Sequence, residues 1–213
     1  MRITLPDPVG FAECFADVSG IKVNPDIMGI TIDSRDVKPG DLYIALSGRR
    51  TDGHNFVPDV ELKGCSAALV SDVQKECKTI QQIRVDDPLT TIGQTAKLWR
   101  ENINIPVFGI TGTNGKTSTK ELIKHVLSEN MNVHATKGNY NTSIGVPLTL
   151  LTMTSSHEIS ILELGANQKG DIRYLCEITK PNHGLITNIA PAHLEGFGSV
   201  EEIAKEKGEL FLS

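Results

Sequence analysis

The sequence predicts an α/β protein in two parts. Residues 1–103 read as a small mixed α/β domain, and residues 104–213 as the first, incomplete part of a mainly parallel, doubly wound domain built on a phosphate loop. Three observations predict this. Short apolar runs bounded by turn residues alternate with helical spacings along the chain. The run Val107-Phe108-Gly109-Ile110 leads into a glycine-rich turn and then a helical pattern. Two more apolar runs of the same kind, 159–164 and 184–189, follow with helical stretches between them, the pattern of a parallel sheet covered on both faces.

The elements follow in order. Phe11, Cys14, Phe15 and Val18 share one side of a short amphipathic helix. Strand-like runs occupy 30–32, 42–46, 67–70 and 83–85, separated by turn signals such as Lys38-Pro39-Gly40-Asp41 and Thr51-Asp52-Gly53. Leu89, Ile92, Ala96 and Trp99 predict a helix over 89–101, and a domain boundary is expected near Asn102-Ile103-Asn104. Past the glycine turn, Leu122, Ile123, Val126 and Leu127 supply the apolar face of the next helix. Ser199-Val200-Glu201-Glu202 is a capping box that starts a last helix carrying Ile203, Lys207 and Leu210 on one side. Only three core strands are legible in the second domain, against the roughly five or six of a complete doubly wound sheet. The expectation is therefore that the 213 residues alone do not complete a catalytic cycle.

Composition narrows the class of function. The net charge of -5 and the 5% aromatic content supply neither a basic surface nor stacking platforms for nucleic acid. The four cysteines, Cys14, Cys65, Cys77 and Cys176, show no metal-ligand spacing and read as reduced thiols. Neither a leader-like apolar run nor a membrane-spanning stretch is present in the sequence. The expectation is a cytoplasmic monomer.

The chemistry concentrates in Gly109-Ile110-Thr111-Gly112-Thr113-Asn114-Gly115-Lys116-Thr117. A glycine turn between a buried strand and a helix lets backbone N–H groups close around phosphate oxygens, and the helix N-terminus adds positive charge. Gly112, Thr113, Asn114, Gly115, Lys116, Thr117 and Ser118 are the expected ATP contacts. Lys116 is placed to reach the β- and γ-phosphates and Thr117 to bind Mg2+. The strict phosphate-loop spacing would put glycine at 110; here Ile110 stands there and the glycines fall at 109 and 112.

This loop, with its Gly-Thr-Asn-Gly-Lys-Thr core, resembles that of the Mur ligases and of their relative folylpolyglutamate synthase. Four further segments are similar to the Mur ligases. Asp33-Ser34-Arg35 with residues 37–46 looks like their uridine-nucleotide-binding first domain. Residues 138–151 resemble the segment that meets the muramoyl-peptide. Residues 163–167 and 188–199 are most similar to the member that adds D-alanyl-D-alanine, because Ala192 stands where other members usually carry aspartate.

The resemblance implies an ATP-dependent amide ligase acting through an acyl phosphate, with UDP-N-acetylmuramoyl-tripeptide and D-alanyl-D-alanine as its partners. It implies Mg2+ ligands at Thr117, Glu163 and His193, and at Lys207 as a carbamate. An ammonium has no lone pair for a metal, so carbamylation requires the neutral amine and a lowered pKa. Lys116, His193 and Lys207 are the implied catalytic residues, and Lys205 replaces Lys207 if the alignment slips by two. Ser34 and Arg35 suit the pyrophosphate or muramoyl group, and Asn141 and Thr142 the sugar or peptide. Asp33-Ser34-Arg35 is also the pattern of a turn closed by an aspartate side chain. Three other readings remain: a non-catalytic module that binds a uridine-sugar precursor, a regulatory phosphate-loop protein that merely hydrolyses ATP, and a sibling Mur ligase adding the third amino acid.

Overall fold

The computed structural model describes residues 1–48, 51–192 and 194–212, with the backbone alone at 194 and 195. The chain divides into two units, Met1–Trp99 and the residues from Arg100 on.

In the first unit β1 (Arg2–Thr4) is followed by α1 (Pro8–Ser19), which starts on an Asp7 cap and stops at Gly20. Then come β2 (Gly29–Thr31), β3 (Asp41–Ile44), a 3-10 turn over Gly53–Phe56, α2 (Val57–Leu62), β4 (Ala67–Val70), β5 (Gln81–Arg84) and α3 (Pro88–Glu101). The sheet order is β1-β2-β3-β4-β5, with β1 antiparallel to β2 and the others parallel. Every residue of β2, β3 and β4 is buried, as expected of parallel strands covered on both faces. Tyr43, Ala45, Ala68 and Val70 pack with Val57 and Val60 of α2 on one face. Alternation sends Leu42, Ile44 and Leu69 to the other. The fully buried Asp41 takes both Nε and Nη2 of Arg2 at 2.7 Å, an ion pair that reaches over Gly29 and ties β1 to β3. The expected strands and helices of this unit are all present. The sequence reading missed β1, whose three residues are too short to show a period, and the six-residue helix α2.

The second unit contains β6 (Val107–Thr111), α4 (Lys116–Leu127), β7 (Val133–Ala135), α5 (Gly145–Leu150), β8 (Ile159–Glu163), α6 (Asp171–Thr179), β9 (His183–Ile186), α7 (Leu194–Phe197) and α8 (Val200–Gly208). Its strands are all parallel, in the order β7-β8-β6-β9. The chain leaves β6 toward β7 but leaves β8 toward β9, on the opposite side. Because parallel crossovers are right-handed, that reversal puts the connecting helices on opposite faces and opens a crevice at the carboxyl ends of β6 and β8.

Two readings are corrected here. The unit has four strands, not three. β7 was overlooked because Val133-His134-Ala135 is short and carries a histidine. The face of α4 is also different. Leu122 and Val126 are 67% and 66% exposed, while Lys120 is wholly buried. The stripe turned to the sheet is Lys116, Lys120, Ile123 and Leu127, set by Lys120 Nζ donating to Thr136 O at 2.6 Å. Hydrophobic periodicity shows that a helix is two-sided; here a buried hydrogen bond overrides the side it selects. The Ser199 cap is present, its hydroxyl accepting from Glu202 N, but the Glu202 carboxylate turns outward to Lys169 and Lys205. Among the described residues no helix is long and apolar enough to cross a membrane.

Candidate functional site

The turn between β6 and α4 is shaped by two glycines. Gly112 has φ +145°, and a β-carbon there would overlap the Thr187 hydroxyl; Gly115, with φ +80°, caps α4 in the left-handed region. The first hydrogen bond of α4 runs from Thr119 N to Gly115 O, so the N–H groups of residues 115–118 face the mouth of the loop. Lys116 folds over that mouth, Nζ donating to Gly112 O at 2.7 Å and to Thr113 O at 3.3 Å. Thr113 and Asn114, both expected to contact nucleotide, engage the strand end that follows β9. Their backbone N–H groups are spent on Asn188, at 3.1 Å and 2.9 Å.

At the crevice Glu163, 2% exposed, ends β8. Its Oε2 accepts the Thr117 hydroxyl at 2.8 Å and its Oε1 accepts Asn141 Nδ2 at 2.7 Å. Two residues expected to serve metal or substrate, Thr117 and Asn141, thus converge on the carboxylate of a third, Glu163. Asn141 stands in this cluster through its amide. The Thr142 hydroxyl accepts from Gly145 N at 3.3 Å, just ahead of α5. Ser118 lies exposed in the first turn of α4. A carboxylate beside a hydroxyl at the mouth of a phosphate loop is the hard-oxygen donor set that Mg2+ takes, so these residues fit a magnesium nucleotide.

The two candidate lysines separate clearly. Lys205 is 73% exposed along its side chain and is held by Glu202 at 2.7 Å. Lys207 is 4% exposed and forms no hydrogen bond or ion pair with a described residue. Burial, with the neighbouring Lys116 charge, pushes its amine down to about 8. Beside it Glu206 is committed to structure, accepting Gly170 N and Ile172 N at the start of α6. His193 lies outside the described residues. Among those described, no group of three or more His, Cys, Asp or Glu side chains is gathered for a metal.

A second feature lies in the first unit. An open cleft of about 540 Å³ is lined by Met1, Asp33, Ser34, Arg35, Thr51 and Phe56, among others. Both expected substrate residues, Ser34 and Arg35, border it. The aspartate-closed turn is present as well. Asp33 Oδ1 accepts Arg35 N at 3.0 Å, and the carboxylate takes Arg35 Nε and Nη2 at 2.8 and 2.6 Å. Those bonds hold the Asp33 carboxyl far below the usual carboxylate range. Next in sequence to the lining residues Thr51 and Gly53 is an arrangement the sequence reading passed over. Buried His54 links Asp52 Oδ1, 2.6 Å from Nδ1, to Ser71 N, 3.0 Å from Nε2. The carboxylate and the donating N–H fix the tautomer, with the proton on Nδ1. Asp-x-His gives no pattern by which sequence alone would find Ser71.

Comparison with known proteins places both units. Residues 110–213 match the Mur ligase middle domain, and residues 26–100 match the Mur ligase family, catalytic domain. A UDP-N-acetylmuramoyl-tripeptide--D-alanyl-D-alanine ligase of Synechocystis sp. is 41% identical over 212 residues, covering 98% of this chain and 46% of the relative. The protein of that name from Bacillus subtilis is 40% identical over 199 residues, covering 91% of this chain and 44% of the relative. Among solved structures, MurF from Acinetobacter baumannii superposes with a TM-score of 0.88 at 33% identity, over 99% of this chain and 47% of that one. MurF ligase from Thermotoga maritima in complex with ADP gives 0.77 at 34% identity, over 85% of this chain and 42% of that one. The chain spans about half the length of the curated relatives it matches. With both of its units matched and its whole path followed by these relatives, the chain belongs to the Mur ligase family.

Proposed function

We propose that the protein carrying this chain is an ATP-dependent amide ligase that joins D-alanyl-D-alanine to UDP-N-acetylmuramoyl-tripeptide in peptidoglycan precursor synthesis. The observation that carries the reading is the convergence of Thr117, Glu163 and Asn141 at the mouth of the phosphate loop. The names of the relatives support the choice of substrates. In this reading residues 1–103 hold the uridine nucleotide in the cleft beside Ser34 and Arg35, and residues 104–213 hold ATP.

The chain's own groups divide the work by chemistry. The N–H groups of residues 115–118 bind phosphate oxygens at the positive end of α4. Lys116, freed from its two carbonyls, sets a fixed positive charge on the transferring phosphoryl group and moves no proton. Thr117, Glu163, His193 and a carbamylated Lys207 would hold magnesium, which would neutralise charge on the phosphates and on the tripeptide carboxylate. That carboxylate attacks the γ-phosphorus, and ADP leaves as the acyl phosphate forms. Burial of Lys207 keeps a useful share of its amine neutral, as addition to carbon dioxide requires; the N–C bond forms as the nitrogen sheds a proton. The dipeptide amine then displaces phosphate and closes the amide.

The test is ADP formation by the full-length protein given the muramoyl-tripeptide, ATP and magnesium. ADP that appears only with D-alanyl-D-alanine supports the ligase. ADP that ignores the dipeptide overturns it.

A further inference from the structure

Thr113 and Asn114 make no use of their backbone N–H groups at the mouth of the loop, because a second strand end has taken them. Asn188 O accepts Thr113 N at 3.1 Å and Asn188 Oδ1 accepts Asn114 N at 2.9 Å, so one residue caps both consecutive donors. Around it the tie is continued on either side. Thr187 Oγ1 donates to Asn114 O at 2.6 Å. Thr113 Oγ1 donates to Ala190 O and accepts from Ala190 N, both at 3.1 Å. Gly112 has no side chain because Thr187 fills that space. The segment 187–190 therefore forms one wall of the phosphate loop.

We infer that Asn188 is a positioning residue for nucleotide binding: by holding Thr113 and Asn114 away from the mouth, it fixes the tilt at which residues 115–118 present their N–H groups. This rests on the proposal that the loop binds ATP. A backbone turn with two unsatisfied adjacent N–H groups would have other conformations open to it, including ones that aim those groups into the phosphate space. The asparagine removes them with one side-chain and one main-chain oxygen. The tie also gives Thr113 a structural part, since its hydroxyl reads both polar groups of Ala190.

The experiment measures MgADP affinity of the full-length protein by calorimetry, with its thermal unfolding midpoint taken without nucleotide. Asn188→Ala removes the side-chain acceptor. It is expected to bind MgADP about tenfold more weakly, the size of one lost hydrogen bond, with the nucleotide-free midpoint nearly unchanged. Asn188→Asp keeps an oxygen opposite Asn114 N but adds charge beside the phosphates. It is expected to recover part of the loss, and more of it at high salt, where that repulsion is screened. Should Asn188→Ala fail to fold, Asn188→Asp and Thr113→Val carry the same comparison, the second removing only the tie to Ala190. If Asn188→Ala binds like wild type while Lys116→Ala loses binding, the inference falls and the ATP reading stands. Losses that track the unfolding midpoint alone would also overturn it. A wild-type protein that binds no MgADP overturns both.

Discussion

The Thr117 hydroxyl donates to Glu163 Oε2 at 2.8 Å, joining the first turn of α4 to the end of β8 across the point where the sheet reverses direction. This buried carboxylate has one oxygen on a hydroxyl and the other on the Asn141 amide. It also presents the oxygens a magnesium ion would take. Glu163→Gln keeps the size and removes the charge. Turnover and magnesium-dependent nucleotide affinity are expected to fall by on the order of 100-fold, while nucleotide affinity measured in EDTA barely changes. Equal magnesium dependence in the variant and the wild type would remove Glu163 from the metal site.

Lys207 carries a cost in stability that its chemistry explains. Its amine sits at about 8 in the folded protein against the ordinary 10.5. Between those values the unfolded chain still holds a proton that the folded chain has shed, so this group makes stability rise with pH from about 8 to 10.5. Below about pH 8 the whole cost of burying the ammonium remains, on the order of 2–3 kcal/mol. Lys207→Met is therefore expected to stabilise the protein at pH 7 by about 2 kcal/mol in denaturant unfolding while abolishing ligase turnover. Adding bicarbonate to decarbonated buffer is expected to raise wild-type activity and leave Lys207→Arg unmoved. A Lys207→Met protein that is less stable and still active would refute the role.

Much of this was legible from residues. Strands and helices with four or more patterned residues stand where their periods put them, and the strand–glycine turn–helix context located the phosphate loop despite Ile110. The three-residue strands β1 and β7 stayed hidden because they are too short to show a period, and the rest of what stayed hidden rests on contacts between distant segments. Nothing in Gly112-Thr113-Asn114 announces that Asn188 takes two of its N–H groups. Nor does the spacing of Leu122 and Val126 reveal that Lys120 is the residue drawn inward, to a carbonyl on the far side of a strand. The choice between Lys205 and Lys207 was partly legible, since helical spacing sets Lys207 on the side of Ile203 and Leu210. Burial separates them.

His134 predicts a pH dependence independent of catalysis. It is buried between β8 and α5, with Nε2 3.1 Å from Thr149 O and Nδ1 2.8 Å from Ser160 Oγ. A carbonyl can only accept, so Nε2 carries the proton and Nδ1 accepts from the serine. Desolvation, together with the His157 ring 5.1 Å away, pushes the imidazole down to about 4. The unfolded chain takes its proton near 6.5 and the folded chain near 4, so stability contributed above pH 6.5 is lost as the pH falls between them. The loss reaches about 3 kcal/mol. Urea unfolding at pH 7, 5.5 and 4.5 is expected to show this slope in the wild type and a flatter one in His134→Gln, which cannot take up the proton. Parallel slopes would place the titration elsewhere.

Arg35 borders the cleft of the first unit with its side chain 85% exposed, but Nε and Nη2 are already engaged by Asp33. What the guanidinium offers an incoming phosphate is its remaining N–H groups, on a fork whose direction the carboxylate has fixed. The pairing costs some positive potential and supplies aim. Arg35→Ala is accordingly expected to weaken binding of the UDP-muramoyl-peptide about tenfold, and Arg35→Lys nearly as much, because an ammonium cannot serve Asp33 and a phosphate in the same planar geometry. Asp33→Asn leaves the charge of Arg35 but loosens its direction. If aim outweighs charge, this variant also binds more weakly than wild type; if charge outweighs aim, it binds more tightly, since a nearby anion has been removed. The geometry of two bonds at 2.6 and 2.8 Å, closed by the Asp33–Arg35 turn, favours aim. Tighter binding by Asp33→Asn in a calorimetric titration would show that the pair is only a surface turn.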